Sequence, residues 1–285
     1  MATATFPLTD NHIHIDELNG YGLDAVKKFK RAGGNTIFLV NKLTKDMGSS
    51  GVTLENFHRL YEKTLALGER IEELGIKVFT VLGVHPAEFH FMLEEIGRVE
   101  ALQIAKDAVD LACGFIEDNK AVALGELGRP HYEVSKDVID ACHELLFYAF
   151  KKAGEIDCAV QLHTESIGES GFYEFSELAE KAGLSSNRVV KHFSPPFIEV
   201  ASKTGIMPSL ISKRVNILEA LKEGKRFLME SDYIDDRRRS GAVVGPKSVP
   251  RVTLNLLREG FISEEDVYII HKENIEEVYG IDIEF

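Results

Sequence analysis

The sequence predicts an α/β fold, a single (β/α)8 barrel with additional C-terminal helices, as one domain over residues 1–285. Two observations support this prediction. Eight short apolar runs alternate with helical segments, and residues that can bind metal ions lie at the ends of five of the runs. The runs lie near residues 8–15, 35–41, 76–84, 120–126, 157–163, 187–193, 204–211 and 226–232.

The apolar runs have the composition of strands in a parallel sheet. Several are rich in Val, Ile, Leu and Phe without strict alternation, which is typical of strands that helices cover on both faces. Helices with an apolar face are predicted at about 54–74 and 135–153, with Ser135 as the N-cap of the second. The C-terminal helices, at about 248–279, are expected to cover the outside of the barrel.

An open, doubly wound sheet could use the same elements, but its ligand would bind at one switch point. Here His12 and His14 lie in the first run, and Asp232 ends the eighth. Only a closed ring brings the first and last strands together around one centre. The placement of these residues therefore favours the barrel.

Six residues with imidazole or carboxylate side chains are the predicted metal ligands: His12, His14, Glu126, His163, His192 and Asp232. The two histidines of the first run are two residues apart, so they share a face of the strand. Four imidazoles and two carboxylates exceed what one tetrahedral zinc ion needs. They suit two divalent ions (Zn, Mn or Mg) and a bridging water that is nucleophilic at neutral pH. The sequence thus predicts a metal-dependent hydrolase.

The charge balance limits the partners that we expect. A net charge of -13 argues against an extended surface that coats nucleic acid, because such surfaces are basic. It does not exclude a nuclease, since metal ions supply positive charge locally. The notable basic cluster of the sequence is Arg237-Arg238-Arg239, which follows two aspartates.

The composition of the chain also indicates the cellular compartment in which we expect the protein. No run of 18 apolar residues is present, so no membrane span or membrane partner is predicted. The first residues lack the features of a signal peptide. Cys113, Cys142 and Cys158 have no paired metal spacing, and we expect them to be reduced and buried. A cytoplasmic location is therefore expected.

The order and spacing of these motifs resemble the TatD family of metal-dependent hydrolases, TIM barrels of the amidohydrolase-like group, and most closely its archaeal-type TatD-related members. The resemblance spans nearly the whole chain. The segments similar to family motifs are Asp10 to Asp16 (D-x-H-x-H), Gly83 to Pro86 (G-I-H-P), Gly125 to Gly128 (G-E-I-G), His163, His192 with Phe-Ser, Glu230 to Asp232, and the closing segment Val249 to Gly280.

The resemblance implies metal-dependent hydrolysis, often of DNA phosphodiesters. It also implies a role for each of the six ligands: His12 and His14 bind one ion, His163 and His192 bind the other, Glu126 bridges the two, and Asp232 binds the first ion and orients or deprotonates the water. Glu126 and Asp232 are therefore the candidate catalytic residues.

Two departures from the family pattern concern the substrate. Arg129-Pro130-His131 follows the G-E-L-G segment where the family has Leu-Asp-Tyr, and Glu165 occupies the position of an arginine in the strand-five motif. A glutamate there removes a phosphate partner, and Arg129 is a candidate to compensate. The predicted substrate contacts are His85, Arg129, His131 and Arg237.

Three functions stay open at this point. The leading prediction is a two-metal hydrolase of phosphodiesters, with DNA ends as the candidate substrate and 3′–5′ exonuclease activity as the candidate reaction. The second is an amidohydrolase or lactonase that acts on a small molecule. The third is a non-catalytic barrel that binds metal, against which the intact set of six ligands argues.

Overall fold

The computed structural model describes residues 6–48, 52–239 and 241–284. The strands are β1 (Thr9–His14), β2 (Thr36–Val40), β3 (Lys77–Leu82), β4 (Ala123–Gly128), β5 (Ala159–His163), β6 (Val189–Lys191), β7 (Met207–Ile211), β8 (Leu228–Glu230) and β9 (Tyr233–Ile234). The helices are α1 (Leu23–Arg31), α2 (Leu54–Glu72), α3 (Pro86–Ile96), α4 (Arg98–Glu117), α5 (Lys136–Ile156), α6 (Glu169–Ala182), α7 (Ile198–Thr204), α8 (Arg214–Glu223), α9 (Ser248–Arg258), α10 (Glu264–Tyr268) and α11 (Asn274–Tyr279). Short 3₁₀ turns lie at Thr44–Met47, Ser186–Arg188 and Arg237–Arg239, and a π-helical turn at Ile269–Glu273 joins α10 to α11.

The sheet closes on itself. Its strands follow the order β8-β7-β6-β5-β4-β3-β2-β1-β9, and every pair is parallel. β8 pairs with β7 and β9 pairs with β1, and only Ser231 and Asp232 separate β8 from β9. The amide of Asp232 donates to the carbonyl of His12 at 2.9 Å. The prediction of a closed barrel is confirmed, and the open sheet is excluded.

The main hydrophobic core lies between the strands and helices α2 to α6. Phe57, Phe89, Phe150 and Phe172 are all buried there, and each contributes roughly 1.5–3 kcal/mol by leaving water. Ser135 caps α5 as predicted, since its hydroxyl accepts from the amide of Val138.

A second apolar cluster fills the barrel interior, with one residue or more from each of β2 to β8. Ile275, Val278 and Tyr279 of α11 belong to this cluster, and the Tyr279 ring lies 4.4 Å from that of Phe38. The prediction that all C-terminal helices cover the outside is therefore wrong for α11, which packs against the interior residues of the barrel. An apolar helix face does not reveal on which side of a sheet it will pack.

Two expectations about the compartment can be compared with the structure. Across residues 6–48, 52–239 and 241–284, no helix is both long and apolar enough to cross a bilayer. The three cysteines are free and buried, as expected.

Candidate metal centre

The six predicted ligands meet at the carboxyl end of the barrel, where all the parallel strands end together. They come from separate parts of the sheet: His12 and His14 from β1, Glu126 from β4, His163 from the end of β5, His192 directly after β6, and Asp232 between β8 and β9. Their donor atoms, with those of His85, form three sets whose members lie within 4.8 Å of one another: His12, His14 and Asp232; His12, Glu126 and His192; His85, Glu126 and His163.

A local irregularity of β4 accompanies the inward position of Glu126. Its pairing with β5 shifts register between Leu124 and Leu127, and such bulges redirect side chains. Gly128 permits the close approach of the two strands. It has a φ of 137°, and a Cβ there would lie 2.1 Å from the carbonyl oxygen of His163. A side chain at this position would separate Glu126 from His163.

The two histidines of β1 each have one ring nitrogen beside an acceptor. His12 Nδ1 is 2.7 Å from Gln161 Oε1, and His14 Nδ1 is 3.1 Å from the carbonyl oxygen of Val40. Oxygens of this kind only accept, so each neutral ring carries its proton on Nδ1 and presents a lone pair at Nε2. The two Nε2 atoms are 3.1 Å apart. When both rings are neutral their facing lone pairs repel each other, and a cation bound by both would remove this repulsion, so the residues fit a metal ion.

Gln161 itself is oriented by its neighbours. Its Nε2 donates to the carbonyl of Asn11 at 3.1 Å and lies 2.7 Å from the hydroxyl of Tyr279. The Asn11 carbonyl accepts only, so the amide nitrogen of Gln161 must face it, and Oε1 must face His12. Through Tyr279, helix α11 thus supports the metal centre from inside the barrel.

Glu126 lies between two pairs of imidazoles. Its Oε2 is 3.3 Å from His14 Nε2 and 3.6 Å from His12 Nε2. Its Oε1 is 2.7 Å from His163 Nδ1 and 3.5 Å from His192 Nε2. Each carboxylate oxygen therefore faces a different pair, which is the geometry of a carboxylate that can bridge two cations.

His192 is oriented by a carboxylate that the sequence did not single out as a site residue. Its Nδ1 is 2.9 Å from Glu230 Oε1, and the same oxygen accepts from the Phe193 amide at 2.8 Å. The other oxygen of Glu230 accepts from the hydroxyl of Ser209. A carboxylate on Nδ1 leaves Nε2 of His192 as the metal-binding nitrogen, as in many carboxylate–histidine–metal arrangements.

The pKa values reflect this packing of charges. Burial alone would lower the pKa of His12, but Glu126, Glu230 and Asp232 raise it to about 9. Burial would raise the pKa of Glu126, yet His85 and His12 hold it well below its ordinary value. Burial raises the pKa of Asp232 well above its ordinary value. Ligands bind metal in their deprotonated forms, so a divalent cation and the proton on His12 compete for this site.

Two of the four predicted substrate contacts line the cavity above the donors. His85 Nε2 is 3.8 Å from Glu126 Oε1, and burial lowers the pKa of His85 to about 3, so the ring is neutral. His131 Nδ1 lies 3.1 Å from His163 Nε2. His85 can thus serve as a further metal ligand as well as a substrate contact.

The other two, Arg129 and Arg237, do not line the cavity. Arg129 forms a two-bond contact with Glu165, at 2.8 and 2.6 Å, and a further bond to Glu174 at 2.8 Å. Arg237 lies over the ring of Tyr21, 5.1 Å from its centroid. The geometry therefore does not support their assignment as substrate contacts, and the arginine that lines the cavity is Arg239.

The cavity has a volume of about 530 Å³. Its lining is mixed, with the cations Lys42, Lys45 and Arg239 and the apolar side chains Leu43, Phe193 and Val243. Lys42 is paired with Asp16 at 2.6 Å. Lys45 and Arg239 have no carboxylate within ion-pair distance in the parts of the chain that the structure describes.

A parallel barrel with imidazoles and carboxylates gathered at its carboxyl end defines a metal-dependent hydrolase. The family model for TatD-related DNases matches residues 9–280, so the chain belongs to that family. An uncharacterized protein of Methanocaldococcus jannaschii is 41% identical over 98% of both chains.

Solved structures with this fold include two proteins of Escherichia coli. The TatD homologue YJJV of Escherichia coli superposes with a TM-score of 0.67 at 19% identity, over 96% of this chain and 98% of that one. The phosphotriesterase homology protein of the same organism, which holds phosphate in its active site, superposes with a TM-score of 0.58 at 15% identity, over 96% and 99%.

Proposed function

We propose that this protein hydrolyses phosphodiester bonds at nucleic-acid ends with the help of two divalent metal ions. The observation that carries the proposal is the position of Glu126, whose two oxygens face different pairs of imidazoles. When bound, the ions would supply Lewis acidity and a water that is nucleophilic at neutral pH. Membership of the TatD-related DNase family supports the choice of phosphodiester substrates.

The side chains divide between the two ions by their distances to Glu126. His12 and His14, with Asp232, would hold the first ion, and His163 and His192 the second. Gln161 Oε1 and the Val40 carbonyl lie beside Nδ1 of His12 and His14, and Glu230 Oε1 lies 2.9 Å from Nδ1 of His192, so in all three residues Nε2 is the nitrogen left to bind a metal. The protein thus fixes its ligands before a metal binds, which lowers the cost of ordering them.

Asp232 is the proposed proton acceptor. Its Oδ1 lies 3.8 Å from His14 Nε2, beside the proposed first ion. Its backbone has a φ of 45°, which is uncommon for a residue other than glycine. The hydrogen bond from its amide to the His12 carbonyl helps to hold this conformation. Burial raises the pKa of this carboxyl group in the metal-free protein, and a bound cation would favour its ionised form, which can accept a proton from an attacking water.

The mouth of the cavity supports an anionic substrate. Lys45 and Arg239 lie there without carboxylate partners among the described residues, so both are free to bind a phosphate group. A volume of about 530 Å³ is in the range of sites that hold drug-sized ligands, which suits a terminal nucleotide.

Two observations favour a second candidate, hydrolysis of a small ester, lactone or amide. The carboxylates of Glu165 and Glu174 neutralise the positive charge of Arg129, so this arginine adds no free positive charge to the site. Leu43, Phe193 and Val243 give one side of the cavity an apolar lining, which suits an acyl or lactone group.

A substrate panel separates the two candidates. We would compare an end-labelled single-stranded oligonucleotide, bis(p-nitrophenyl) phosphate, a nitrophenyl ester and a lactone, each with added Zn, Mn or Mg, with Glu126→Gln as the variant that lacks the bridge. We expect both phosphodiesters to be cleaved. Efficient turnover of the ester or lactone with no cleavage of either phosphodiester would favour the second candidate.

The role of Asp232 gives a quantitative test. Asp232→Asn keeps the shape and one oxygen of the side chain but loses most of its basicity, so kcat should fall roughly 10²-fold or more while some metal stays bound. Asp140→Asn, on the exposed face of α5, is the matched control and should be as active as the wild type. Unchanged kcat in metal-loaded Asp232→Asn would refute the role.

A further inference from the structure

A second cationic surface lies on the outer wall of the barrel, between helices α1 and α9. It is a groove of about 580 Å³, here called the basic groove, whose charged lining residues are Lys28, Arg31, Lys247, Arg251 and Arg258. Its other lining residues are neutral, so no carboxylate of the described part of the chain lines it. On a chain with a net charge of -13, five cations around one groove are unexpected.

The cations form two rows that face each other. Lys247, Arg251 and Arg258 recur at spacings of four and seven residues and therefore share one face of α9. Lys28 and Arg31 are three residues apart and share a face of α1. At 1.5 Å per helical residue, Lys247 and Arg258 are separated by roughly 16 Å along the axis. The groove thus presents a line of charge rather than a single point.

These charges are only partly matched inside the protein, where Asp24 interacts electrostatically with Lys28 and Arg31, and Arg258 Nη1 donates to Asn255 Oδ1 at 3.2 Å. Within the described residues, none of the five forms an ion pair with a carboxylate. Lys28 lies over the ring of Tyr21, and Arg31 Nε donates to the carbonyl of Lys27 at 3.3 Å. Clustered like charges repel one another and destabilise the folded state. A bound polyanion would offset this repulsion.

Tyr21 connects the basic groove to the cavity of the metal centre. Its ring lies 4.4 Å from Lys28 Nζ and 5.1 Å from the guanidinium carbon of Arg237. Arg237 belongs to the same 3₁₀ turn as Arg239, which lines the cavity. Arg239, Arg237, Tyr21 and Lys28 therefore mark a route from the cavity to the groove, along which the Tyr21 ring is 45% exposed.

We propose that the basic groove binds the phosphate backbone of a single-stranded nucleic acid whose end occupies the cavity of the metal centre. The inference rests on the proposed function, and it specifies a polymeric substrate that extends beyond the reacting end. Rows of cations beside an exposed aromatic ring are the combination that single-strand binding sites use. An acidic protein needs such a local row, because the rest of its surface repels a polyanion.

Binding can be measured apart from catalysis. We would titrate the protein with a fluorescein-labelled phosphorothioate oligonucleotide, which keeps the backbone charge and resists hydrolysis, and follow its anisotropy at several salt concentrations. For single strands, each cation that contacts a phosphate contributes about 0.7 to the slope of log K against log salt concentration, or about fivefold in affinity at ~0.1 M salt. Arg31→Gln with Arg251→Gln should therefore weaken binding roughly 25-fold and reduce the slope by about 1.4.

The control removes the same total charge elsewhere. Lys203 and Lys222 are 64% and 68% exposed and lie on α7 and α8. Lys203→Gln with Lys222→Gln should leave binding near the wild-type value. Thermal unfolding of both double variants checks that each is folded. Equal weakening in the two double variants would show a general effect of net charge and overturn the proposal, as would wild-type binding by the groove variant.

Two further measurements separate this inference from its alternatives. Cleavage of bis(p-nitrophenyl) phosphate, which is too short to reach the groove, should be equal in the wild type and both double variants. Absence of that cleavage, with groove-dependent oligonucleotide binding intact, would reject the proposed catalysis and support the groove as a nucleic-acid site. If tripolyphosphate binding depends on the groove while oligonucleotide binding does not, the groove is a site for free polyphosphate, and the backbone assignment is overturned.

Discussion

Gln161→Leu should weaken metal binding although Gln161 is not itself a predicted ligand. The side chain is buried and its Oε1 lies 2.7 Å from His12 Nδ1. Leucine has a similar size but no acceptor, so the proton of His12 would no longer be held on Nδ1. The ring could then carry its proton on Nε2, the nitrogen that faces His14 and Glu126, and this tautomer cannot bind a metal through Nε2.

The size of the effect follows from the contacts. Loss of a partner that orients a metal-binding histidine typically costs 10–100-fold in metal affinity, and we expect Gln161→Leu to fall in that range. The substitution also leaves the Asn11 carbonyl and the Tyr279 hydroxyl without the Gln161 amide. An unsatisfied buried polar group costs about 1–3 kcal/mol, although Tyr279 keeps its contact with Asn11 Oδ1 at 2.9 Å. Folding stability should therefore fall as well, by an amount of that order.

Competition between the protein and a fluorescent chelator gives the metal affinity, and ¹⁵N NMR of the metal-free protein at a pH above the His12 pKa of about 9 gives the tautomer of the neutral ring. Gln161→Glu is the matched control because it keeps an acceptor beside Nδ1. We expect Glu to preserve the Nδ1 proton and Leu to lose it. If the leucine variant binds metal as tightly as the wild type, or keeps the wild-type tautomer, Gln161 does not orient His12.

Two further predictions concern the second ion and a buried carboxyl group. His163→Ala should selectively weaken one of two bound ions, which elemental analysis would show as about one ion per chain by ligand count; equal loss of both would instead indicate a tightly coupled pair. Burial raises the pKa of Glu88 to about 7, so ionisation of this side chain destabilises the folded state. The destabilisation is small near pH 4.5 and reaches its full size above pH 7. Glu88→Gln should therefore gain stability over the wild type as pH rises from 5 to 8, by roughly 3 kcal/mol at most. Urea unfolding at both pH values measures this, and a gain independent of pH would contradict the assignment.

The parts of the fold that the sequence predicts are those controlled by local patterns. The run at 157–163 becomes β5, Ala159–His163, and the helix at 135–153 becomes α5, Lys136–Ile156. The convergence of the metal ligands is also predictable, because the carboxyl ends of parallel strands meet at one end of a barrel. The packing position of α11 is not predictable from the sequence, because its apolar face fits the barrel interior as well as the outside.

The residues that orient the ligands were missed, although a signal for them exists. Gln161 precedes His163 by two residues on β5, so the two share a face of that strand, and Glu230 is the last residue of β8, two residues before Asp232. A polar residue at that spacing, inside an otherwise apolar strand, indicates a buried polar partner. The basic groove has no such signal, since Arg31 and Arg251 are distant in the sequence and only the closed barrel brings α1 and α9 together.

The contact between Arg129 and Glu165 shows a pairing that single residues of the sequence do not reveal. Glu165, taken alone, suggests a site that lost a phosphate-binding cation, and Arg129, taken alone, suggests a replacement. Their two-bond contact shows instead that each satisfies the other. The free positive charge at the cavity comes from Lys45 and Arg239, in the segments after β2 and β9. The strand ends therefore hold the donors for metal chemistry, while the loops determine which substrate reaches them, and a search for the substrate should begin with variants of those loops.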